Sequence, residues 1–339
     1  MSRATMRLID CAQRGPRAAA GTAPSGPETF AQEIARLLNG RPRRLPAHAL
    51  YDALGSALFD AICELPWYPI TRAETCLLHR HGRAILEAAG HRARIVELGP
   101  GSGDKLATLL AHEAGTRDTP RQVHLVDVSA TALGAAKARV RQVQGTEVHT
   151  HVARYESGLR DVATRRTEGD TLMVGFLGSN IGNFDPPDAE LLLQRIRASM
   201  QSGDTLLIGA DLVKDPERLR IAYDDPLGVT AAFNTNLLVR LNRELGANFA
   251  LDRFAHDARW NARANRMEMH LVSLAQQRVE IPGAELSIEF QAGESIWTES
   301  SYKYEPEAFQ TILRAVGFEA AASWQDDEAG FLLTLAVAR

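Results

Sequence analysis

Near the end of the chain, the stretch IWTESSYKYEPEAF (residues 296–309) holds a carboxyl and a hydroxyl two positions apart in a strand-like segment. Successive strand side chains point to opposite faces, so Trp297, Glu299, Ser301 and Lys303 are expected on one face. A carboxylate accepts hydrogen bonds, and a hydroxyl donates or accepts. Glu299 and Ser301 would therefore suit a small planar ring with polar atoms at both edges. The alternative is an ordinary solvated strand face.

A second candidate site is the glycine-rich stretch IVELGPGSGDKL, which leads from an apolar strand into a helix. Gly99, Gly101 and Gly103 let the backbone approach a nucleotide-like ligand without Cβ clashes. The dinucleotide fingerprint G-x-G-x-x-G would need a glycine where Asp104 stands. Asp127 ends the next strand, where a carboxylate accepts from ribose hydroxyls. The pattern favours S-adenosylmethionine over a nicotinamide or flavin cofactor, and a purely structural turn is the third interpretation.

A third candidate is the turn FLGSNIGNF, which follows the fourth apolar strand. Ligands of open α/β sheets bind beyond the carboxyl ends of the strands, which places Gly178 and Asn183 well. An amide both donates and accepts, so Asn183 suits an amine or a carboxylate. Asn is also a common turn residue without any such role.

The elements that must position these residues follow a βα rhythm in the first two thirds of the chain. Apolar strands are predicted at 93–99, 122–128, 147–153, 171–178 and 204–212, with helix-like stretches between them. This alternation predicts a parallel sheet covered on both faces. A helix capped by Thr71, with Glu74 three residues later, is predicted after Pro66.

Beyond residue 212 the rhythm changes to two helices and then several strands, which predicts a smaller, mostly antiparallel sheet. A helix at PEAFQTILRAVG and a strand at FLLTLAVAR return the chain to the first sheet. The expected division is a flexible tail at 1–27, N-terminal helices at 28–80, a cofactor-binding domain formed by 81–212 and 305–339, and an inserted substrate-binding domain at 213–304.

Composition excludes several classes of protein. The 339 residues carry 38 Lys and Arg against 42 Asp and Glu, a net charge of −4, without a basic stripe that would bind nucleic acid. No apolar run is long enough to span a membrane. Cys11, Cys63 and Cys76 show no metal-ligand spacing and fit a reducing cytoplasm. The Arg-rich start only loosely resembles a transit peptide and lacks a secretory signal's apolar region.

Taken together, these segments identify a family resemblance. The chain resembles the histidine Nα-methyltransferases of ergothioneine biosynthesis, which use S-adenosylmethionine to convert histidine into its trimethylammonium betaine, hercynine. The likeness runs from about residue 30 to the C-terminus. It rests on LYDALGSALFDAICELPWYPITRAE, VELGPGSGDK, FLGSNIGNF, GADLVKDPERLRIAYDDPLGVTAAFN, NRMEMHL and WTESSYKY. The resemblance implies an α/β, Rossmann-like methyltransferase fold with a doubly wound, mostly parallel sheet and a smaller α+β substrate-binding domain.

The resemblance also implies which residues bind the cofactor. The glycine loop and its neighbours match cofactor-contacting positions, and two residues after the third strand match the pair that brackets the adenine. The loop set is Gly99, Gly101, Ser102, Gly103, Lys105 and Asp127, and the adenine pair is Arg154 and Tyr155. The family pair usually begins with an acid, whereas Arg154 only donates hydrogen bonds. Tyr155 keeps an aromatic face for stacking.

The substrate residues are carried over in the same way. Tyr68, Asn183 and Tyr223 match positions that hold the amino and carboxylate groups of the substrate, and Met269 lines the pocket for its side chain. Glu299 and Ser301 match the pair that hydrogen-bonds the imidazole, and Tyr51, Phe59 and Gly178 match neighbours of the amine and methyl group.

The expected reaction is methyl transfer from a sulfonium to the amine of L-histidine, with S-adenosylhomocysteine as product and no metal. Tyr51 and Asn183 are the candidate catalytic residues, with the Tyr51 hydroxyl passing the amine proton to water. The expected enzyme is a cytoplasmic monomer without nucleic-acid or membrane partners. A methyltransferase acting on a tryptophan-derived amine would lack the Glu299 and Ser301 pair. A catalytically silent nucleotide-binding module is the other alternative.

Overall fold

A computed structural model of the chain describes residues 28–115 and 118–339. The tail expected at 1–27 lies outside the described residues. Ten helices and thirteen strands are described, and none of these helices is long and apolar enough to cross a membrane. The helices are α1 (Phe30–Asn39), α2 (Ala53–Glu64), α3 (Ile70–Ala89), α4 (Asp104–Leu110), α5 (Ala130–Val140), α6 (Tyr155–Thr164), α7 (Pro186–Ala198), α8 (Pro216–Tyr223), α9 (Val229–Leu245) and α10 (Pro306–Ala315).

Seven strands form one large sheet. They are β2 (Ala93–Leu98), β3 (Arg121–Asp127), β4 (Thr146–Val152), β5 (Thr171–Phe176), β6 (Thr205–Asp211), β12 (Phe318–Asp326) and β13 (Phe331–Ala338). Their order is β4-β3-β2-β5-β6-β13-β12, and β13 alone among these seven strands runs antiparallel to the others. The strand order reverses beside β2, where ligands of such sheets bind. The predicted doubly wound, mostly parallel sheet is confirmed.

Alternating strand side chains build a separate apolar core on each face of this sheet. In β2, Ile95 packs into the core that includes α3, α4 and α5, whereas Val96 packs into the core that includes α6, α7 and α10. Both side chains are fully buried. Strands buried on both faces read as continuous apolar runs, which is why they were recognisable in the sequence.

The remaining strands form two smaller sheets. Four strands pair in the order β1-β11-β8-β7, and β9 and β10 form a separate antiparallel pair. They are β1 (Arg43–Arg44), β7 (Phe254–Asn261), β8 (Arg266–Ser273), β9 (Gln277–Ile281), β10 (Leu286–Phe290) and β11 (Ser295–Tyr302). Helix α9 buries Phe233, Leu237 and Leu241 in the same core that holds Met267 and Met269 of β8.

The proposed domain division stays a prediction, and one of its boundaries needs adjusting. The boundary expected at residue 80 falls inside α3, a continuous helix of 20 residues from Ile70 to Ala89. Helix α3 packs against the large sheet as one continuous element, which a boundary at residue 80 would divide. The strands of the large sheet come from 93–211 and 318–338, and those of the four-stranded sheet from 43–44 and 254–302.

Two strands were not predicted, and one expected helix cap is wrong. Strand β12 was not predicted, because its FEAAASWQD sequence is an exposed edge strand with few β-branched residues. The two-residue strand β1 was also missed. Helix α3 begins after Pro69, and Thr71 does not cap it. Glu74 is instead fully buried, where its carboxylate makes contacts described below.

Candidate active site

A β-bulge sets which side chains of β11 face the interior. Strands β11 and β8 pair Trp297 with His270 and Glu299 with Met269, so one extra residue, Thr298, is inserted between them. Neighbouring residues of β8 point to opposite faces, and the same must hold for their partners. Glu299 and Ser301 therefore share a face with Met269. The expectation that Trp297 lies on that face is wrong: it packs on the other side, beneath the guanidinium of Arg266 at 4.3 Å.

Glu299 and Ser301 lie at one end of a cleft between the seven-stranded sheet and the four-stranded sheet. The cleft and the open solvent at its mouth together contain about 510 Å³ of empty space, and the cleft collects all nine residues expected to surround the substrate. These nine residues are Tyr51, Phe59, Tyr68, Gly178, Asn183, Tyr223, Met269, Glu299 and Ser301. The remaining lining residues are Ile62, Ile70, Ser179, Asn180, Ala222, Thr230 and Phe233.

The Glu299 carboxyl is the main ionisable group that faces the cleft at this end. Its residue is only 9% exposed. Burial raises the pKa of Glu299 to about 7, and the positive charge of Lys303 opposes this shift. No described protein group hydrogen-bonds its carboxylate, so both oxygens are available to a ligand.

The Ser301 hydroxyl belongs to a buried hydrogen-bond network that the sequence did not predict. Lys303 Nζ donates to Ser301 Oγ at 2.7 Å and to Tyr223 Oη at 2.8 Å. The Tyr223 hydroxyl in turn donates to Ser301 Oγ at 2.8 Å. Lys303 also pairs with Asp211, at 2.9 Å between Nζ and Oδ2. Lys214 Nζ lies 2.5 Å from the other oxygen of Asp211.

Lys303 stays charged in this buried position. Burial by itself lowers the pKa of the ammonium, but Asp211 and Tyr223 more than offset that effect, so the pKa lies above its usual range. The only sequence signal for this role was the two-residue spacing from Ser301, which also fits a solvated lysine. Its partner Asp211 lies 92 positions earlier in the chain, at the end of β6.

Aromatic rings form another part of the cleft lining. Tyr51 packs edge-on against Phe59 and Phe233, with ring centroids 5.5 Å apart in both cases. Tyr68 packs edge-on against Tyr223 at 6.3 Å. Loss of water around their hydroxyls raises the pKa of Tyr51 and of Tyr68 well above the ordinary value, with the charge of Glu299 adding to the shift of Tyr51. Both phenols are therefore neutral hydrogen-bonding groups.

The glycine loop lies at the other end of the cleft. Gly99, Gly101 and Gly103 all have left-handed backbone, with φ of 72°, 54° and 82°. A Cβ at Gly99 would lie 2.8 Å from Tyr155 Oη and 3.1 Å from Asn180 Nδ2. Because Asn180 also lines the cleft, one short turn forms a wall of both sites.

A buried carboxylate ties this turn to the loop helix. Glu74 Oε2 accepts from the Gly178 backbone N–H at 2.8 Å and lies 2.7 Å from Lys105 Nζ. Its other oxygen, and Oε2 of Glu97 at the end of β2, are buried without any hydrogen-bond partner. Burial chiefly raises the pKa of Glu97 to about 8. Sequence reasoning gave neither glutamate a role in binding.

The other residues predicted to bind the cofactor differ in how deeply they are buried. Asp127 ends β3, where its Oδ1 accepts from the Ser129 N–H at 2.8 Å, and burial raises its pKa. Tyr155 starts α6, packs edge-on against Phe176 at 5.5 Å and turns its hydroxyl toward Gly99. Arg154 and Ser102 are exposed. The contact of Arg154 with adenine stays a prediction.

Comparison with known proteins decides the family. The family model of the histidine-specific, S-adenosylmethionine-dependent methyltransferases matches residues 30–338. The chain belongs to this family.

Named relatives agree with this assignment. The histidine N-alpha-methyltransferase of Mycobacterium tuberculosis is 40% identical over 300 residues, which cover 88% of this chain and 92% of the relative. That of Mycolicibacterium smegmatis is 39% identical over 322 residues, covering 93% and 97%. Ergothioneine biosynthesis protein 1 of Neurospora crassa is 27% identical over 286 residues, covering 84% of this chain and 32% of that protein.

In this histidine-specific methyltransferase, the structure brings the predicted substrate residues into one cleft beside the predicted loop. Three groups that sequence reasoning did not assign complete the site: the Lys303–Asp211 pair, Glu74 and Glu97. Among the residues at 28–115 and 118–339, no cluster of His, Cys, Asp or Glu has the arrangement of a metal site.

Proposed function

We propose that this methyltransferase transfers three methyl groups from S-adenosylmethionine to the α-amine of L-histidine, giving hercynine, the first step of ergothioneine biosynthesis. The observation that carries the proposal is the placement of Glu299 and Ser301 inside one cleft. The far wall of that cleft is the turn beside the glycine loop. The mycobacterial relatives, which are named histidine N-alpha-methyltransferases, support the same substrate and reaction.

The residues around the glycine loop fit S-adenosylmethionine. Gly99 leaves room for a ligand where a Cβ would crowd Tyr155, and Asp127 offers an acceptor for ribose hydroxyls. Glu97 and Glu74 each leave one buried carboxylate oxygen without a partner. A buried acceptor in that state costs free energy unless a ligand donor reaches it, and the ammonium of the methionine moiety supplies such donors.

Bound there, S-adenosylmethionine supplies a methyl carbon activated by its sulfonium, and S-adenosylhomocysteine is the product. The protein contributes mainly proximity and alignment to such an in-line displacement. In our proposal Asn183, Tyr68 and Tyr223 hold the amino and carboxylate groups of histidine. Gly178 has no side chain, which leaves room for an amine that already carries one or two methyl groups.

The amine must lose a proton before each transfer. A nearby sulfonium and a dry cleft both disfavour the ammonium form. We assign proton transfer to the Tyr51 hydroxyl, which stays neutral because its pKa is raised by loss of water. The hydroxyl accepts the amine proton as it passes its own to water, so no phenolate has to accumulate.

The imidazole end gives the substrate selectivity. Neutral imidazole has one donor and one acceptor nitrogen, and Glu299 and Ser301 offer matching groups at two edges. A site built to hydrogen-bond its substrate discriminates by ~10⁴-fold or more against analogues that leave those groups unpaired. Amines with an apolar or indole side chain would leave the buried Glu299 carboxylate without a partner.

Mass spectrometry tests the proposal directly. The purified chain is incubated with L-histidine and S-adenosylmethionine, and the histidine pool is followed over time. Successive mass gains of one, two and three methyl groups are expected, together with S-adenosylhomocysteine. L-Tryptophan under the same conditions serves as the matched substrate control. Binding of both ligands without any mass gain would instead favour a silent nucleotide-binding module.

We propose further that the enzyme works as a monomer in a reducing cytoplasm. One copy of the chain supplies a cleft lined by all nine residues predicted to surround the substrate. Cys63 and Cys76 are both free thiols, which suits a reducing compartment.

A further inference from the structure

Lys303, Tyr223 and Ser301 form a closed triangle of hydrogen bonds. Lys303 Nζ donates to Ser301 Oγ and to Tyr223 Oη, and the Tyr223 hydroxyl donates to Ser301 Oγ, with all three distances between 2.7 and 2.8 Å. The third contact of the ammonium is with Asp211. The three ammonium protons and the phenol proton are thus all used within the protein.

Ser301 Oγ has two lone pairs and one O–H group. Its two lone pairs are occupied by Lys303 and Tyr223, so only its own hydrogen remains for a ligand. Ser301 lines the cleft, so that hydrogen is the group that it can offer to a ligand there. Ser301 is therefore a donor toward the substrate, although a serine hydroxyl in general can take either role. At the other edge, Glu299 has a carboxyl oxygen that accepts a hydrogen bond in either protonation state.

We propose that Lys303, acting through Ser301, makes the cleft select one neutral tautomer of the substrate ring, with its N–H toward Glu299 and its bare nitrogen toward Ser301. The inference rests on histidine being the substrate, as proposed above. Lys303 is a positioning residue, because it reaches the ring only through the serine hydroxyl.

The other forms of the ring are rejected for simple reasons. The opposite tautomer would aim its bare nitrogen at the Glu299 carboxylate and its N–H at the Ser301 hydrogen. A protonated ring has N–H groups at both edges, and one of them would meet a Ser301 oxygen that has no free lone pair. That proton would also lie near the buried ammonium of Lys303.

The charges around the ring agree with a neutral substrate side chain. Lys303 and Lys214 share the single carboxylate of Asp211, which leaves one positive charge in excess. Glu299 supplies the matching negative charge when it is ionised, above its pKa of about 7. Below that pH the excess positive charge disfavours a protonated ring still more. The titratable groups that face this end from the N-terminal helices are the neutral phenols of Tyr51 and Tyr68.

Nitrogen NMR of the bound substrate tests this inference. L-Histidine labelled with ¹⁵N at both ring positions is bound together with S-adenosylhomocysteine, which has no methyl group to transfer. The ¹⁵N chemical shift distinguishes a protonated ring nitrogen from a bare one. At about pH 6, below the ordinary ring pKa of about 6.5, free histidine is mostly doubly protonated. In the complex, one protonated and one bare nitrogen are expected.

Lys303→Met is the matched variant, because it keeps the length of the side chain and removes the donors and the charge. Ser301 then regains a lone pair, and the bound ring is expected to be doubly protonated at the same pH. Calorimetric affinity for S-adenosylhomocysteine equal to that of the unmodified enzyme shows that the variant folds. If it does not fold, Tyr223→Phe frees the same lone pair and is expected to raise the protonated fraction.

Two results would overturn the inference: a doubly protonated ring or mixed tautomers in the unmodified enzyme, or identical spectra in the enzyme and the folded variant. A failure of histidine to bind at all has a different signature, because the ¹⁵N signals then remain those of the free amino acid. That result would overturn the proposed function together with the inference.

Discussion

Lys303 and Asp211 form a buried ion pair, with 2.9 Å between Nζ and Oδ2. The pair joins the end of β11 to the end of β6. Both residues are at most 3% exposed. Lys214 shares the same carboxylate. The pair therefore connects the large sheet to the strand that carries Glu299 and Ser301, and its integrity bears on both stability and substrate recognition.

Asp211→Asn is expected to lower the free energy of unfolding by about 3–5 kcal/mol, because two buried ammonium groups lose their counter-ion. Urea denaturation at neutral pH measures the change. The control is Glu319→Gln, which removes the partner of Arg339 in an ion pair at the surface, where a loss below about 1 kcal/mol is expected. Equal losses in the two variants would contradict a special role for the buried pair.

Glu299→Ala is expected to abolish most histidine turnover, because the ring N–H loses its acceptor. We expect kcat/KM to fall by ~10⁴-fold, which is typical when a hydrogen bond between the site and its substrate is lost. Apolar amino acids, which leave no buried carboxylate unpaired in this variant, should then compete with histidine. Competition assays read by mass spectrometry measure both effects. Glu299→Gln keeps an acceptor oxygen and should retain more activity than Glu299→Ala. Full histidine turnover in the alanine variant would disprove the assignment.

Glu97 predicts a pH-dependent stability of the ligand-free enzyme. Its pKa is raised in the folded chain to about 8 from 4.5, chiefly by burial. Between these values the folded state keeps a proton that the unfolded state has lost, so this group makes stability fall as pH rises. Below pH 4.5 both states are protonated, and the effect vanishes.

Glu97→Gln is accordingly expected to raise Tm relative to the unmodified enzyme by an amount that grows from about pH 5 to pH 8. Thermal scans at several pH values measure it. The control is Glu307→Gln, which changes an exposed carboxyl instead of a buried one. A constant Tm difference for Glu97→Gln would show that the carboxyl is already ionised in the fold.

Gly99→Ala is expected to weaken S-adenosylmethionine binding by about tenfold or more, the equivalent of ~1.4 kcal/mol. The added methyl would lie 2.8 Å from Tyr155 Oη, at a residue with φ of 72°. Gly203→Ala is the matched control, because φ is also positive there, at 93°, and its added Cβ meets nothing within 4 Å. Both variants should lose similar stability, about 1–2 kcal/mol. Calorimetry should detect weaker cofactor binding only for Gly99→Ala.

Tyr51→Phe tests the proposed proton transfer. The variant keeps the ring that packs against Phe59 and Phe233 and removes only the hydroxyl. We expect kcat to fall while the KM for S-adenosylmethionine stays unchanged. The kcat loss should shrink at high pH, where the amine of histidine is already deprotonated. A pH–rate profile identical to that of the unmodified enzyme would assign proton transfer to another group.

Local sequence determined much of this protein. The glycine loop, the apolar strands and the helices on both faces were all predicted, because each depends on nearby residues and a regular period. Helix α9 (Val229–Leu245) is one of the two helices predicted beyond residue 212. The nine predicted substrate residues came from the family resemblance, which rests on motifs in separate segments, and the structure brings all nine into one cleft.

Tertiary structure alone decided what surrounds those motifs. Alternation along an ideal strand puts Trp297 beside Glu299, but the bulge at Thr298 moves it to the other face, and a bulge depends on the partner strand. Glu74 looked like a helix-capping residue and proved to be a buried link between Lys105 and Gly178. Lys303 finds Asp211 across 92 positions of chain. Such charges are buried only where a distant partner offsets the cost of desolvation, and no local pattern records which partner that is.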